Sequence, residues 1–180
     1  MAVGPWLVVI DPQRIFADPA SPWGAPRFGE IVGPIRDLAA AHPGRTIVTR
    51  WLPPTEPYGS WEPYLDAWPF AKVSATDPLY HLDARLADLD GLVLSASTFG
   101  KYGVIERVTG TAPELILAGV ATDCCVISTA LAAADAGATV TVVTDACAGS
   151  SDDNQAAALT VMGLYAPQIR LATSAEVLAR

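Results

Sequence analysis

Residues 115–126 read Leu-Ile-Leu-Ala-Gly-Val-Ala-Thr-Asp-Cys-Cys-Val, and the character of the chain changes halfway along this stretch. The first half, 115–120, is a continuous apolar run of the kind that forms a buried strand. Residues 128–136, which follow the stretch, are rich in small side chains and favour a helix. A cysteine at such a strand-to-helix turn lies at a helix N-terminus, where the partial positive charge stabilises a thiolate. The segment therefore predicts a buried strand, a turn with a candidate nucleophile, and a helix.

The same alternation of strand and helix runs along the rest of the chain. Five more short runs are apolar on both faces, as buried parallel strands are: Trp6–Ile10, Thr46–Thr49, Leu92–Leu94, Val140–Thr144 and Ile169–Leu171. Helical patterns lie between them at Phe28–Ala41, Val126–Ala136 and Asp152–Leu164. Alternation of this kind predicts an α/β fold with a doubly wound, mostly parallel six-stranded sheet.

Composition narrows the class of protein. A chain of 180 residues that is 51% apolar predicts one domain over residues 1–180 and excludes general disorder. The net charge of −8 and the lack of basic runs argue against a nucleic-acid partner. No apolar run is long enough for a membrane span, and the N-terminal residues 1–13 lack the charged start of a signal peptide. Three cysteines without scaffold spacing predict reduced thiols in a cytoplasmic protein.

The proline-rich stretch from Leu52 to Pro78 interrupts the alternation. It also contains Trp61 and Trp68. We expect an irregular excursion that covers one end of the sheet, either as an ordinary packed loop or as a lid or oligomer contact. With this stretch as a candidate contact, we expect a homo-oligomer, either a dimer or a tetramer.

Three side chains that could do chemistry follow predicted strands. Asp11 ends the first strand, Cys125 follows the fourth, and Lys101 lies just past the third, so all three are expected at the carboxyl edge of the sheet, where ligands bind. Each also has an ordinary explanation: a strand-end ion pair for Asp11, a small buried side chain for Cys125, and a solvated surface lysine for Lys101. Spacing alone leaves open whether Cys124 or Cys125 points toward the strand ends.

Three segments, residues 9–16, 118–126 and 143–148, carry a resemblance to a known family. Together they resemble the isochorismatase-like cysteine hydrolases, the superfamily that includes nicotinamidases and isochorismatases. Residues 9–16, Val-Ile-Asp-Pro-Gln-Arg-Ile-Phe, resemble the D-x-Q-x-x-F opening of that family. Residues 118–126 resemble its nucleophile motif, and residues 143–148 resemble its v-x-D-A strand end. The resemblance covers nearly the whole chain.

The resemblance implies a three-layer α/β/α fold and an Asp–Lys–Cys triad. It assigns the acid to Asp11 and the nucleophile to Cys125 rather than Cys124. It also implies a cis peptide bond between Val120 and Ala121, and an oxyanion hole formed by the N–H groups of Ala121 and Cys125.

Two departures from the family pattern bear on the site. The family lysine corresponds by position to Val93, so either Lys101 supplies the cation from another side of the pocket or the triad is incomplete. The zinc-binding histidines of nicotinamidases have no counterpart in residues 50–54, and neither His42 nor His81 has ligand spacing. We therefore expect no metal and no cofactor.

Other chemistries fit the sequence less well. A Cys–His hydrolase needs a histidine near the thiol, and His42 precedes a strand, toward the opposite edge of the sheet. A haloacid dehalogenase-like phosphatase would have a second aspartate at position 13, where this chain has Gln13. Neither a G-x-G-x-x-G turn nor a phosphate loop is present.

The sequence thus predicts a cysteine hydrolase (an amidase) that cleaves a small amide or related C–N bond through a covalent acyl-enzyme. Family members cleave amides such as nicotinamide, carbamoyl compounds, or the vinyl ether of isochorismate. Four residues are candidates for substrate binding: Gln13, Phe16, Trp51 and Tyr102. The alternative is a catalytically weak family member that serves as a small-molecule binding or assembly subunit.

Overall fold

The computed structural model describes residues 4–179, so the first three residues of the apolar N-terminal segment and residue 180 lie outside it. Six strands form the sheet: β1 (Trp6–Ile10), β2 (Thr46–Trp51), β3 (Leu92–Ala96), β4 (Glu114–Val120), β5 (Thr139–Ala148) and β6 (Ile169–Ala172). Their order is β3-β2-β1-β4-β5-β6, and every neighbouring pair is parallel. The predicted doubly wound α/β sheet is confirmed.

Within residues 4–179, seven α-helices accompany the sheet: α1 (Arg14–Ala17), α2 (Phe28–Ala41), α3 (Trp61–Ala67), α4 (Tyr102–Thr109), α5 (Ile127–Asp135), α6 (Asp152–Gly163) and α7 (Ser174–Leu178). Two 3₁₀ turns (Pro69–Ala71 and Pro78–Tyr80) and a π-helical turn (Thr122–Val126) complete the described elements. Among the described residues, none of these helices has both the length and the apolar character that a membrane span requires.

Side chains alternate between two cores, one on each face of the sheet. In β1, Leu7 and Val9 pack with the apolar side of α2, whereas Val8 and Ile10 pack with α4, α5 and α6. This alternation is the period of two that a strand imposes on its side chains. The result is a sheet between two helical layers, the three-layer α/β/α arrangement.

Two expectations about local structure were wrong. β3 is not buried on both faces, because it is an edge strand that pairs only with β2, and it leaves Leu92 and Val93 about half exposed. The stretch from Leu52 to Pro78 is not wholly irregular, since it contains α3 and the 3₁₀ turn Pro69–Ala71. Ser151 caps the start of α6, because its side chain accepts a hydrogen bond from the N–H of Asn154.

Candidate active site

Asp11 directly follows β1 with its carboxylate fully buried. Its backbone has φ = 46°, a left-handed conformation that is uncommon for a residue with a side chain and that occurs at functional sites. The hydroxyl of Thr49, in the neighbouring strand β2, accepts a hydrogen bond from the Asp11 N–H (3.1 Å) and donates one to Asp11 Oδ1 (2.7 Å). The other carboxylate oxygen, Oδ2, is therefore the one available for a further partner.

That partner is Lys101, whose Nζ lies 2.9 Å from Asp11 Oδ2, with both side chains fully buried. The ammonium also donates hydrogen bonds to the carbonyl oxygens of Thr98 (2.6 Å) and Phe99 (2.9 Å). Three oxygens thus surround a cation that has no access to water. Their contacts with the ammonium offset its loss of hydration. Val93, the position of the family lysine, lies instead on the half-exposed edge strand. Within the described residues, Asp11 Oδ2 makes no hydrogen bond in addition to this ion pair.

Cys124 and Cys125 lie in the π-helical turn between β4 and α5. The carbonyl of Ala121 accepts hydrogen bonds from the N–H groups of Cys124 (3.0 Å) and Val126 (3.1 Å). The Cys125 carbonyl accepts one from the Thr129 hydroxyl (2.7 Å). Cys125 is buried and Cys124 is partly exposed, and both border the same cavity.

The environment of the two thiols corrects one expectation from the sequence, namely a lowered pKa at Cys125. The neighbouring Cys124 thiol, burial, and the negative charge of Asp11 raise the pKa of Cys125 well above its usual range, and the charge of Lys101 opposes them. The interaction between the two thiols lowers the pKa of Cys124. When one proton leaves the pair, we expect the less buried sulfur to carry the charge and the deeper thiol to donate to it.

The backbone between β4 and this turn has two unusual features. The Val120–Ala121 peptide bond is cis, as the family resemblance implies. Gly119 has φ = 112°, and a Cβ atom there would lie 2.2 Å from the Ile10 carbonyl oxygen of β1. Only glycine fits such a close approach. Gly119 therefore lets the end of β4 lie against the end of β1, which brings the cysteine turn beside Asp11.

A cavity of about 360 Å³ opens onto the two cysteines. Six of the thirteen residues that line it are aromatic; the lining comprises Phe16, Pro22, Trp23, Gly24, Trp51, Tyr64, Trp68, Phe99, Ala121, Asp123, Cys124, Cys125 and Ser150. Two of the four residues expected to bind substrate, Phe16 and Trp51, are among them. The excursion after β2 also contributes, through Tyr64 and Trp68, so it borders this end of the sheet.

The other two candidates for substrate binding are placed elsewhere. The side-chain amide of Gln13 is buried and bonds to the carbonyls of Trp51 and Tyr80 (both 2.9 Å) and to the N–H of Trp51 (2.7 Å). Gln13 therefore holds the exit of β1 to the end of β2. Tyr102, at the start of α4, packs into the core that contains Val8 and Ile10, on the face of the sheet covered by α4, α5 and α6. Neither residue lines the cavity.

Sequence reasoning missed several lining residues, above all Trp23, which lies in the loop between α1 and α2. No periodic pattern marks it. The D-x-Q-x-x-F segment could have suggested that the loop following it lies beside the same pocket. Thr49 was also missed, although its position near the end of a strand adjacent to β1 was a usable signal.

The third cysteine, Cys147, borders a different and larger cavity of about 510 Å³ between α2 and the end of β5. Burial raises the pKa of Cys147 to about 12, so this thiol is protonated and unreactive at neutral pH. This cavity is the larger of the two, but Cys125 borders only the smaller one, and for that reason we place the candidate site there. Asp11 and Lys101 are fully buried and line neither cavity.

Few side chains near the site could bind a metal ion. Within residues 4–179, no three side chains of histidine, cysteine, aspartate or glutamate cluster as a metal site would require. The Nδ1 atom of His42 is within hydrogen-bond distance of the Leu38 carbonyl oxygen (2.7 Å), at the end of α2. The residues present therefore do not fit the zinc site that nicotinamidases of the family carry.

Comparison with known proteins gives a consistent result. The family description of the isochorismatase domain matches residues 5–174. None of the curated proteins matches the chain. A cysteine hydrolase structure from Pseudomonas syringae pv. phaseolicola is similar, with a TM-score of 0.82 at 20% identity over 99% of this chain and 94% of that one. An isochorismatase-like hydrolase from Alkaliphilus metalliredigens has a TM-score of 0.77 at 15% identity over 98% of both chains. A nicotinamidase from Bacillus subtilis has a TM-score of 0.74 at 17% identity over 94% of this chain and 99% of that one. At these identities the structural likeness establishes the fold.

Proposed function

This chain belongs to the isochorismatase domain family, and from that premise we propose that it is a cysteine hydrolase that cleaves the C–N bond of a small amide. The observation that carries the proposal is the fully buried ion pair of Asp11 and Lys101, whose charges both act on the Cys125 thiol. A buried acid and a buried cation beside a thiol, at the end of a cavity, are the parts that an acyl transfer to a cysteine needs.

The first step forms the acyl-enzyme. Because its pKa is raised, Cys125 rests as a thiol and needs a base when it attacks. The sulfur forms a bond to the carbonyl carbon while its proton passes to the Asp11 carboxylate. The carbonyl oxygen becomes an oxyanion, which we assign to the N–H groups of Ala121 and Cys125. The C–N bond then breaks, Asp11 returns the proton to the leaving nitrogen, and ammonia departs.

The second step hydrolyses the thioester. Asp11, again a carboxylate, takes a proton from a water molecule while the water oxygen attacks the carbonyl carbon. The C–S bond breaks, the acid product leaves, and the proton on Asp11 returns to the sulfur. The net reaction is amide plus water to carboxylic acid plus ammonia, with the enzyme unchanged.

Lys101 has two roles in this proposal. Its positive charge is the one contribution that lowers the Cys125 pKa, so it stabilises the thiolate as it forms and leaves. Its ammonium also fixes the Asp11 carboxylate by direct contact. A group that stabilises charge only during the reaction acts mainly on kcat.

The raised pKa of Cys125 also supports a second candidate function. A thiol that is hard to ionise fits a catalytically weak family member that binds a small molecule or serves as an assembly subunit. Such a protein would have the cavity without turnover.

A screen for ammonia release over a panel of small amides separates the two candidates. We expect turnover by the wild type, none by Cys125→Ala, and near-normal turnover by Cys124→Ser. Equal losses in both cysteine variants would contradict the assignment of roles. Cleavage that survives in Cys125→Ala would indicate chemistry that does not use the thiol. Binding of amides without any ammonia release would support the second candidate.

A further inference from the structure

Six aromatic side chains line the cavity, and their rings pack against one another. Trp23 lies at their centre, with its ring centroid 5.4 Å from that of Trp51 at an interplanar angle of 75°. Trp68 lies 5.8 Å from Trp23 at 67°. Phe16 stacks nearly parallel to Trp23, at a centroid distance of 6.2 Å and an angle of 7°. The π faces of such an aromatic wall favour positive charge over negative charge in the cavity.

The charges of the lining residues also favour a positively charged ligand. Asp123 is the only charged side chain that borders the cavity within the described part of the chain. Its two oxygens accept hydrogen bonds from the N–H (2.8 Å) and the hydroxyl (2.7 Å) of Ser150, which leaves acceptor capacity on both. The nearby ammonium of Lys101 is fully buried and engaged by Asp11 and two carbonyls. A ligand in the cavity therefore meets a carboxylate and no accessible cation.

We propose that this cavity is a subsite for an organic cation, and that the amide substrate carries a quaternary or protonated ammonium on its acyl part. The ammonium lies against the aromatic wall around Trp23, with Asp123 as its counter-charge, and the amide carbonyl lies at Cys125. A substrate with a carboxylate at the same place is disfavoured, because Asp123 repels it and no cation compensates. The net charge of −8 adds a long-range attraction for cations.

The hydrolysis of such a compound rests on the proposed function, but its binding does not. Trimethylammonioacetamide is a suitable probe, since 3,3-dimethylbutanamide is its neutral isostere and malonamate is an anionic relative. Binding of all three to the full-length Cys125→Ala variant is measured by calorimetry. We expect the cation to bind about tenfold or more tightly than the isostere, as a desolvated cation–π contact gives, and malonamate to bind most weakly.

Other outcomes overturn the proposal. Equal or tighter binding of 3,3-dimethylbutanamide would show that the cavity selects apolar volume. Tightest binding of malonamate would show an accessible positive charge. Failure of all three to bind would remove the subsite. If the cation is preferred but the wild type releases no ammonia from it, the proposed function fails and the subsite stands. If neutral and cationic amides are hydrolysed with equal kcat/KM, the function stands and the subsite fails.

Variants of two cavity residues and of one distant residue test whether the preference for the cation arises in the cavity. Trp68→Leu removes a half-exposed wall, and Asp123→Asn removes the charge while keeping a carbonyl oxygen for Ser150. Both are expected to reduce the preference for the cation over its isostere by several-fold. Trp6→Leu is the control, because Trp6 lies under Arg45 at the start of β1, away from the cavity, and should leave the preference unchanged. A preference that persists in both cavity variants would place the cation elsewhere.

Discussion

Thr49 holds Asp11 at two points with a single hydroxyl group. Its Oγ1 accepts a hydrogen bond from the Asp11 backbone N–H (3.1 Å) and donates one to the Asp11 carboxylate oxygen Oδ1 (2.7 Å). The hydroxyl thereby fixes both a left-handed backbone and a buried charge. Thr49 is a positioning residue in this site, because it acts through Asp11.

Replacement of Thr49 by valine keeps the shape of the side chain and removes both hydrogen bonds. We expect the free energy of unfolding to fall by about 1–3 kcal/mol, since a buried N–H and a carboxylate oxygen lose their partner. We expect kcat to fall about tenfold with a smaller change in KM, because a displaced base affects the chemical step most. Urea unfolding and steady-state kinetics measure the two effects.

Two variants control this prediction. Thr49→Ser keeps the hydroxyl and should recover most of the kcat and the pH profile of the wild type. Thr141→Val changes a buried threonine in β5, away from Asp11, and should leave kcat unchanged. A Thr49→Ser variant as slow as Thr49→Val would show that packing, not the hydroxyl, is what matters.

Lys101→Ala is expected to lower both activity and stability. The substitution leaves the fully buried Asp11 carboxylate without its counter-charge, and the loss of one partner of a buried pair costs about 3–5 kcal/mol. The rate of chemistry should fall on the order of 100-fold or more, as when one electrostatic stabiliser is removed. Lys72→Ala is the control: Lys72 pairs with Asp66 at the surface, and its loss should change the unfolding free energy by less than about 1 kcal/mol.

A double variant separates the two effects of Lys101. Asp11→Asn combined with Lys101→Met removes both charges and leaves no unpaired buried charge. The free energy of unfolding of the double variant should therefore be well above that of Lys101→Ala. Ammonia release should be absent in the double variant, because no base remains. If Lys101→Ala alone retains wild-type turnover, the cation is not needed and the proposed triad is wrong.

The sequence placed the charged and nucleophilic groups because strand ends can be recognised. Asp11, Lys101 and Cys125 each follow an apolar run, and parallel strands bring their carboxyl ends to one edge. Gln13 and Tyr102 come from the same segments, yet their side chains lead away from the cavity, since side-chain direction depends on backbone angles that the sequence pattern does not specify. The wall formed by Trp23 depends on loop packing between distant segments, which no local pattern predicts.

The error at β3 has a similar cause. Leu92 and Val93 form an apolar pair that a local pattern cannot distinguish from a central strand. The position of β3 at the edge depends on the order of all six strands. The pKa of Cys125 was misjudged because the helix N-terminus is visible in the sequence, whereas burial and the contact with Cys124 are not.

Chelation should have no effect on this enzyme. The described residues hold no group of three metal-ligating side chains, and Asp11 is already bound to Lys101 and Thr49. After prolonged treatment with EDTA, we expect unchanged ammonia release and an unchanged melting temperature. A loss of either that added zinc restores would reveal a metal site that involves residues beyond those groups.

Alkylation by iodoacetamide at neutral pH should modify Cys124 before Cys125. The interaction with Cys125 lowers the pKa of Cys124, while the same interaction and burial raise the pKa of Cys125, so the thiolate fraction at pH 7 is larger on Cys124. Cys147, with a pKa of about 12, should stay unmodified and serves as an internal control. Tandem mass spectrometry of the labelled peptide assigns the site as the pH is raised from 6 to 10.

Removal of the neighbouring thiol gives the converse result. Cys124→Ala removes the neighbouring thiol, which is the largest cause of the raised pKa of Cys125. The alkylation profile of Cys125 should therefore shift to lower pH in this variant, with Lys101 still favouring the thiolate. The acid limb of kcat/KM should move in the same direction if loss of the Cys125 proton limits the reaction. Preferential labelling of Cys125 in the wild type at pH 7, or an unchanged profile in Cys124→Ala, would show that the two thiols do not share a proton in this way.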